Sequence, residues 1–349
     1  MKKSLIALAA LAAVTAASAQ STVTLSGTYA LSYQGDLTSD TRSSAGVLTK
    51  SQGFAVTSND FKLTAVEDLG GGLKASADMT AETGFTRASN FTRADSGISV
   101  SGGFGTVAFR STRNGDQLSG IMSSAVVIPD SVYDATGILA RAEVETLSYT
   151  SNELIPGVRA SLTYVEPTAM AGNVIQPTSN SQSYVVGATY ANGPLSLGVS
   201  FKTAPNSVAA SNGLTAKSNT EIAASYNFGV ATISYAFDGK TSEGASTAAA
   251  TTGSATATAL SAAQAQEIAN LATKDAHGIS VTVPVGAFSL GFNYAKRGDA
   301  KYTAFGATYA LSKRTSISAA SGQKTGLALA DEATGYTGNQ YRIRLAHSF

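Results

Sequence analysis

From Thr22 to Gln34 the chain alternates without a break. The odd positions carry Val23, Leu25, Gly27, Tyr29, Leu31 and Tyr33, and the even positions carry Thr22, Thr24, Ser26, Thr28, Ala30 and Ser32. A period of two marks a β-strand with two chemically distinct faces. The run is about twice as long as the usual strand of about 5–6 residues. The same pattern returns along the chain. Leu73, Ala75, Ala77, Met79, Ala81 and Phe85 alternate with Lys74, Ser76, Asp78, Thr80 and Glu82. Val158, Ala160, Leu162 and Tyr164 alternate with Arg159, Ser161 and Thr163. Further runs cover 184–190, 195–202, 221–228 and 288–294, and the last sets Tyr341, Ile343, Leu345, His347 and Phe349 against Arg342, Arg344 and Ser348.

The connections between the runs alternate too. Short ones are predicted at Asp68–Gly72, Gly102–Gly105, Asn152–Gly157, Ala191–Pro194, Asn227–Gly229, Pro284–Gly286 and Leu311–Arg314. Longer ones are predicted near 35–53, 86–94, 111–143, 166–182, 203–219, 239–277, 298–300 and 323–339. Fifteen connections imply sixteen strands, with turns at one rim and loops at the other. The predicted fold is all-β, an up-and-down antiparallel barrel of sixteen strands. Strands of roughly 10 residues, tilted, match an apolar band about 25 Å tall. Backbone amides and carbonyls cannot go unpaired in hydrocarbon, so strands can span a membrane only in a closed sheet. Tyr and Phe at the strand ends suit the two membrane interfaces.

Two segments break the rhythm. Residues 111–143 form a long connection containing Ile121-Met122 and Val126-Val127-Ile128-Pro129. A loop of that length is usually functional, and a sixteen-stranded barrel has a lumen wide enough to receive it. Residues 245–274 are rich in Ala and Thr, and Leu260, Gln264, Ile268 and Leu271 fall at helical spacing, which predicts a short helix within the loop near 239–277.

Composition sharpens this picture. Charged residues make up 13% of the 349 positions, against roughly 25% in a soluble domain. The second strand face is mostly Ser, Thr, Ala and Gly, whereas a soluble sandwich would charge its outer face. The N-terminus, Lys2-Lys3, then an apolar run from Leu5 to Val14, then Ala17-Ser18-Ala19, has the layout of a secretory signal peptide spanning 1–19. Its ten-residue core is too short to span a membrane as a helix, which needs about 20 apolar residues. Cleavage removes Lys2 and Lys3 from a count of 24 basic and 23 acidic residues. The mature chain, 20–349, is then close to neutral, with no electrostatic footprint for nucleic acid. With no Cys and two His, disulfide scaffolds and thiolate metal sites are excluded.

Several motifs resemble those of the Gram-negative general porins, in particular the beta-proteobacterial branch. They are Ser21-Thr22-Val23-Thr24-Leu25, Glu67-Asp68-Leu69-Gly70-Gly71-Gly72-Leu73, Ser101-Gly102-Gly103-Phe104-Gly105-Thr106-Val107, Leu311-Ser312-Lys313-Arg314-Thr315 and the closing Arg344-Leu345-Ala346-His347-Ser348-Phe349. Each is short, but as an ordered set they run the length of the mature chain. The resemblance implies a sixteen-stranded outer-membrane barrel with its third loop folded inward as a constriction. It also implies a homotrimer and passive diffusion of ions and small hydrophilic solutes. The chain departs from the family in two places: the usual Gly-Arg pair is Phe109-Arg110 here, and the Pro-Glu-Phe-Gly type of loop motif is missing.

In such a channel, selectivity comes from pore width and from the charges across the narrowest point. Strand parity puts Lys62, Lys74, Arg110, Arg159, Arg342 and Arg344 on polar, lumen-facing positions. Asp116, Asp130, Asp134, Glu143 and Glu145 lie on or beside the third loop. A basic wall facing an acidic loop would set a transverse field in the pore. Lys202 and Glu221 share the lumen parity, further from the constriction. A substrate-specific channel of the same fold is the first alternative, although the aromatics fall on the lipid parity. An adhesin or surface enzyme is the second. The enzyme reading lacks a base: His277 is expected at the end of a long loop and His347 on the outward face at the rim. No G-x-S-x-G, H-E-x-x-H, P-loop or dinucleotide fingerprint occurs, and no EF-hand spacing suggests bound Ca²⁺. No cofactor is expected.

Overall fold

A computed structural model describes residues 21–36, 41–42, 48–49, 52–83, 91–114, 118, 121, 142–171, 174–177, 182–203, 214–245, 274–326 and 338–349. Among these, sixteen long strands make the wall: β1 (Thr22–Asp36), β2 (Gln52–Gly70), β3 (Leu73–Thr83), β4 (Phe91–Gly102), β5 (Gly105–Asn114), β6 (Ala142–Thr150), β7 (Val158–Ala171), β8 (Ser183–Asn192), β9 (Leu195–Thr203), β10 (Leu214–Asn227), β11 (Thr232–Ala245), β12 (Ala276–Val285), β13 (Phe288–Arg297), β14 (Ala300–Ala310), β15 (Thr315–Thr325) and β16 (Gly338–Ser348). Each is antiparallel to the next in sequence, as the up-and-down prediction requires. The sheet closes because β1 pairs on both sides, with β2 from Thr22↔Val66 to Gly35↔Gln52 and with β16 from Thr28↔Ser348 to Asp36↔Gln340. Two short ladders lie beyond the wall: Thr41–Arg42 with Leu48–Thr49, and Val174–Pro177 folding back on the end of β7.

The alternation in the sequence becomes two faces. Leu25 is 57% exposed and Phe109 53%, whereas Ser32 is 2% and Ala30 fully buried. The large apolar side chains point outward to where lipid belongs, and the small ones point in. The buried residues line the inside: Ala236, Ser280, Asn293, Ala295 and Ala304 on β11 to β14, and Val165 beside Val185 on β7 and β8. A charge on the outer face would cost about 2–4 kcal/mol for Arg or Lys at the bilayer midplane. This is the physical reason for the low charged content.

Aromatic side chains form a belt at each end of the wall, as expected where amphipathic rings meet headgroups. At the turn rim Tyr226 and Phe228 have ring centroids 4.6 Å apart, as do Phe288 and Tyr309, and Tyr149 donates to the Phe104 carbonyl at 2.7 Å. At the loop rim Tyr33 meets Phe54 edge-on at 5.3 Å, and Tyr164 meets Tyr184 at 5.6 Å. His277 belongs to this second belt. It stands on β12 rather than at the end of a loop, with Nδ1 2.8 Å from the Tyr235 hydroxyl and its ring 5.0 Å from that of Phe237. His347 faces outward at the turn rim, with Nδ1 2.9 Å from Thr315 Oγ1.

The short turns fall where the sequence places them. Gly70, Gly71 and Gly72 all have positive φ (79°, 62° and 81°), and the Asp68 carboxylate accepts the Gly70 amide at 2.9 Å. Side chains with a Cβ rarely adopt three successive left-handed residues, which is why this turn is glycine throughout. The longer connections differ more from expectation. β5 runs to Asn114 and β6 begins at Ala142, so the third loop is 115–141 rather than 111–143. β11 runs to Ala245 and β12 starts at Ala276, which shortens the Ala/Thr-rich loop at both ends. The helix predicted near 260–271 lies outside the described residues, as does the leader at 1–19. At the loop rim, β13 passes to β14 through Gly298-Asp299 alone, a tight turn where the other connections are long.

Candidate functional site

The charged part of the inner wall begins on β2. Lys62 pairs in register with Ser26 on β1 and Thr80 on β3, both small and inward. One row along β3 stands Asp78. Its Oδ2 is 3.2 Å from Lys62 Nζ and accepts from Arg110 Nη2 at 2.9 Å. Arg110 is on β5, two strands from Asp78. The residue between them on β4 is Gly97, which pairs with Asp78 on one side and Arg110 on the other. A Cβ built at Gly97 would lie 2.8 Å from Arg110 Cγ and 3.0 Å from the Phe109 carbonyl oxygen. The guanidinium therefore crosses β4 in the space that a side chain would fill. The Phe109-Arg110 departure is accommodated by parity: Phe109 faces outward and Arg110 faces in.

A second basic pair stands on the closing strand. Arg342 donates through Nε and Nη2 to the Gln34 side-chain carbonyl at 2.9 and 2.8 Å, and Arg344 Nη2 donates to Ser58 Oγ at 2.8 Å. Asp60 and Glu82, opposite each other in register, add acidic groups to the same inward face as Lys62. The wall is thus a mixed row of charges rather than a purely basic one.

Two of the sequence-derived cations lie elsewhere. Lys74 is the second residue of β3, beside the Gly70–Gly72 turn, and Arg159 is the second residue of β7, where it meets Glu153 at 3.7 Å with both side chains half exposed. Both stand at the turn rim. Asp116, Asp130 and Asp134 lie outside the described residues. Glu143 falls on β6 opposite Arg113 in register, and its side chain is likewise not described. Glu145 follows on the same strand and, by two-residue parity, shares its face with Leu147 and Tyr149, the lipid side. Glu221 is buried on β10 and accepts from Ser200 Oγ at 3.1 Å and Asn219 Nδ2 at 3.2 Å.

Two residues of the third connection are described, and both are inside the barrel. A Cβ at Gly198 on β9 would lie 2.6 Å from Leu118 Cδ2 and 2.5 Å from Ile121 Cδ1. Gly198 is an inward position between outward Leu197 and Val199. Leu118 is 1% exposed, and its carbonyl accepts the Ile121 amide at 3.0 Å. β5 and β9 are four strands apart, so this turn rests on the wall well away from the strand that leads into it. Strand parity marks Gly198 as inward, but nothing in the sequence pairs it with Leu118.

A closed wall of sixteen strands, apolar outside and polar inside, is the architecture of a membrane channel. A family model described as Gram-negative porin matches residues 7–327. The chain belongs to that family. It is 32% identical over 255 residues to outer membrane porin protein 32 of Delftia acidovorans, an alignment covering 67% of this chain and 68% of that one. Among solved structures, an engineered porin of Rhodopseudomonas blastica superposes with a TM-score of 0.62 at 15% identity, over 94% of this chain and all of the other. A second engineered form gives 0.60 at the same identity and coverage. At that identity the likeness concerns the fold. The porin is a protein of the Gram-negative outer membrane, and its family is one of channels rather than enzymes.

Proposed function

We propose that this porin is a general diffusion channel, a homotrimer whose lumen passes ions and small hydrophilic solutes without a dedicated binding site. The observation that carries the reading is the composition of the inner wall. Near Lys62 and Arg110 it is built from Ser26, Ser76, Thr80, Ser99 and Thr146, and among the described residues the inward aromatic Tyr302, on β14, is fully buried rather than displayed to a solute. Small hydroxyls keep water in the pore and bind ions weakly.

The constriction is assigned to the third loop and the wall it faces. The seat of Leu118 and Ile121 on Gly198 supports an inward course for that loop. On this reading Asp116, Asp130 and Asp134 supply the acidic side, whereas Glu143 shares the parity of Glu145 and Leu147 on β6 and stands off the lumen face. Lys62, Arg110, Arg342 and Arg344 supply the basic side. Lys74 and Arg159 act on ions entering or leaving at the turn rim. A permeating anion exchanges part of its hydration shell for Lys62 and Arg110, and a cation does so for the loop carboxylates. Passage is fast because each exchange is partial.

A substrate-specific channel of the same fold is distinguished by saturation. Conductance in planar bilayers rising linearly with KCl up to molar concentrations supports general diffusion. A plateau at millimolar salt shows an internal binding site and overturns the proposal.

A further inference from the structure

Asp78 has no part in a simple picture of a basic wall facing an acidic loop, yet it is the residue on which the two central cations converge. Lys62 Nζ and Arg110 Nη2 both approach the same oxygen, Oδ2, at 3.2 and 2.9 Å. The three side chains are unequally placed. Lys62 is 42% exposed and Arg110 33%, but Asp78 only 11%. The carboxylate is set back against the wall, and the two cations stand over it on the lumen side. Gly97 makes this possible, because only an empty position on β4 lets the Arg110 side chain lie flat across the strand to reach Asp78.

We infer that Asp78 is a built-in counter-anion that keeps the Lys62–Arg110 pair from trapping multivalent oxyanions in the pore. The inference rests on the reading of this wall as part of the conducting path. Two unpaired cations that converge on one point, one a planar guanidinium, form a ready receptor for a tetrahedral oxyanion such as sulfate or phosphate. Such a receptor would defeat a channel, since conduction requires binding weak enough to release the ion. Asp78 occupies the convergence point from behind and cancels one of the two positive charges. What remains of the triad is a single net positive charge, which attracts anions in passing without holding them. Nearby Asp60 and Glu82 share the inward face but are one row further along, opposite each other in register.

The test is block of chloride current by sulfate, in planar bilayers with KCl on both sides. The unaltered channel is expected to carry chloride with little change on adding millimolar sodium sulfate. In Asp78→Asn, which keeps the shape and removes the charge, the half-blocking sulfate concentration should fall about tenfold or more, as expected for one unscreened charge at short range. Asp78→Asn combined with Arg110→Ser should restore the insensitivity of the unaltered channel. If Asp78→Asn inserts and conducts but sulfate blocks it no better than the parent, the counter-anion role is overturned. The same holds if the double variant stays sulfate-sensitive. Failure of the parent protein itself to conduct would instead overturn the channel reading on which the inference stands.

Discussion

Arg110 donates a hydrogen bond to Asp78 across an entire intervening strand, passing over Gly97. Neighbouring strands lie about 4.8 Å apart, so the guanidinium spans two ladder spacings. It does so lying along the wall rather than projecting into the lumen, which keeps the pore open at that point.

Gly97→Val should break this arrangement. The new side chain would occupy the path of Arg110 and crowd the Phe109 carbonyl, at a cost of about 1–3 kcal/mol for overpacking. The guanidinium would be pushed into the lumen. The expected result is a fall in single-channel conductance of roughly a third or more, with the barrel still folded on non-boiled gels. A conductance equal to the parent's would mean that the path of Arg110 does not depend on Gly97.

Arg110→Ser removes one of the two cations and leaves Asp78 paired with Lys62 alone. Reversal potential in a KCl gradient should move toward cations, by about two- to fivefold in the permeability ratio. Lys74→Ser, at the turn rim, should move it much less. Equal shifts in the two variants would show that Arg110 has no privileged position.

Asp238 and Arg297 form an ion pair that is almost wholly buried, and Arg297 also donates to the Lys274 carbonyl at 2.5 Å. The pair bridges β11 and β13 over Ala276 on β12, at the foot of the Ala/Thr-rich loop. Removing one partner of a buried pair costs about 3–5 kcal/mol. Asp238→Ala should therefore lower the temperature at which the folded band converts to the unfolded one on gels, by several degrees. An unchanged conversion temperature would show the pair to be energetically idle.

The seam between the first and last strands has its own fastening. Gly27 and Phe349 exchange backbone hydrogen bonds at 3.1 and 3.0 Å, and the Phe349 ring lies where a Cβ on Gly27 would point. Gly27→Leu should displace the ring and destabilise the closed barrel by about 1–3 kcal/mol. Urea unfolding from detergent micelles would read this as a lower midpoint, and a midpoint equal to the parent's would contradict it.

Much of this was legible in the chain because a period of two reports side. Alternation placed Lys62, Arg110, Arg342 and Arg344 on the inner face and Leu25, Phe109 and Leu345 on the outer one. The turn glycines at 70–72 located a rim. What alternation cannot report is register. Asp78 has the right parity, but its meeting with Arg110 depends on how far β3, β4 and β5 slide past one another. That offset is set by bulges such as the one between Met79 and Ala81 and by side-chain packing. Gly97 reads in the sequence as one more small polar-face residue. Its role is visible only with both neighbouring strands in place. Contacts made by loops across the lumen, such as Leu118 on Gly198, carry no periodic signal at all. Strand ends escape the alternation for a related reason. Once a strand leaves the lipid its pattern relaxes, so β5, β11 and β12 run further into the aqueous zone than their apolar stripes suggest.

The central claim is that the barrel encloses a continuous aqueous path. The most direct measurement is the current across a planar bilayer after adding purified, refolded protein at nanomolar concentration. The expected result is stepwise, persistent increases in conductance, with steps grouped in threes if each insertion brings a trimer. Protein that is folded by the gel and spectroscopic criteria for a β-barrel, and that inserts without raising the conductance, would contradict the account.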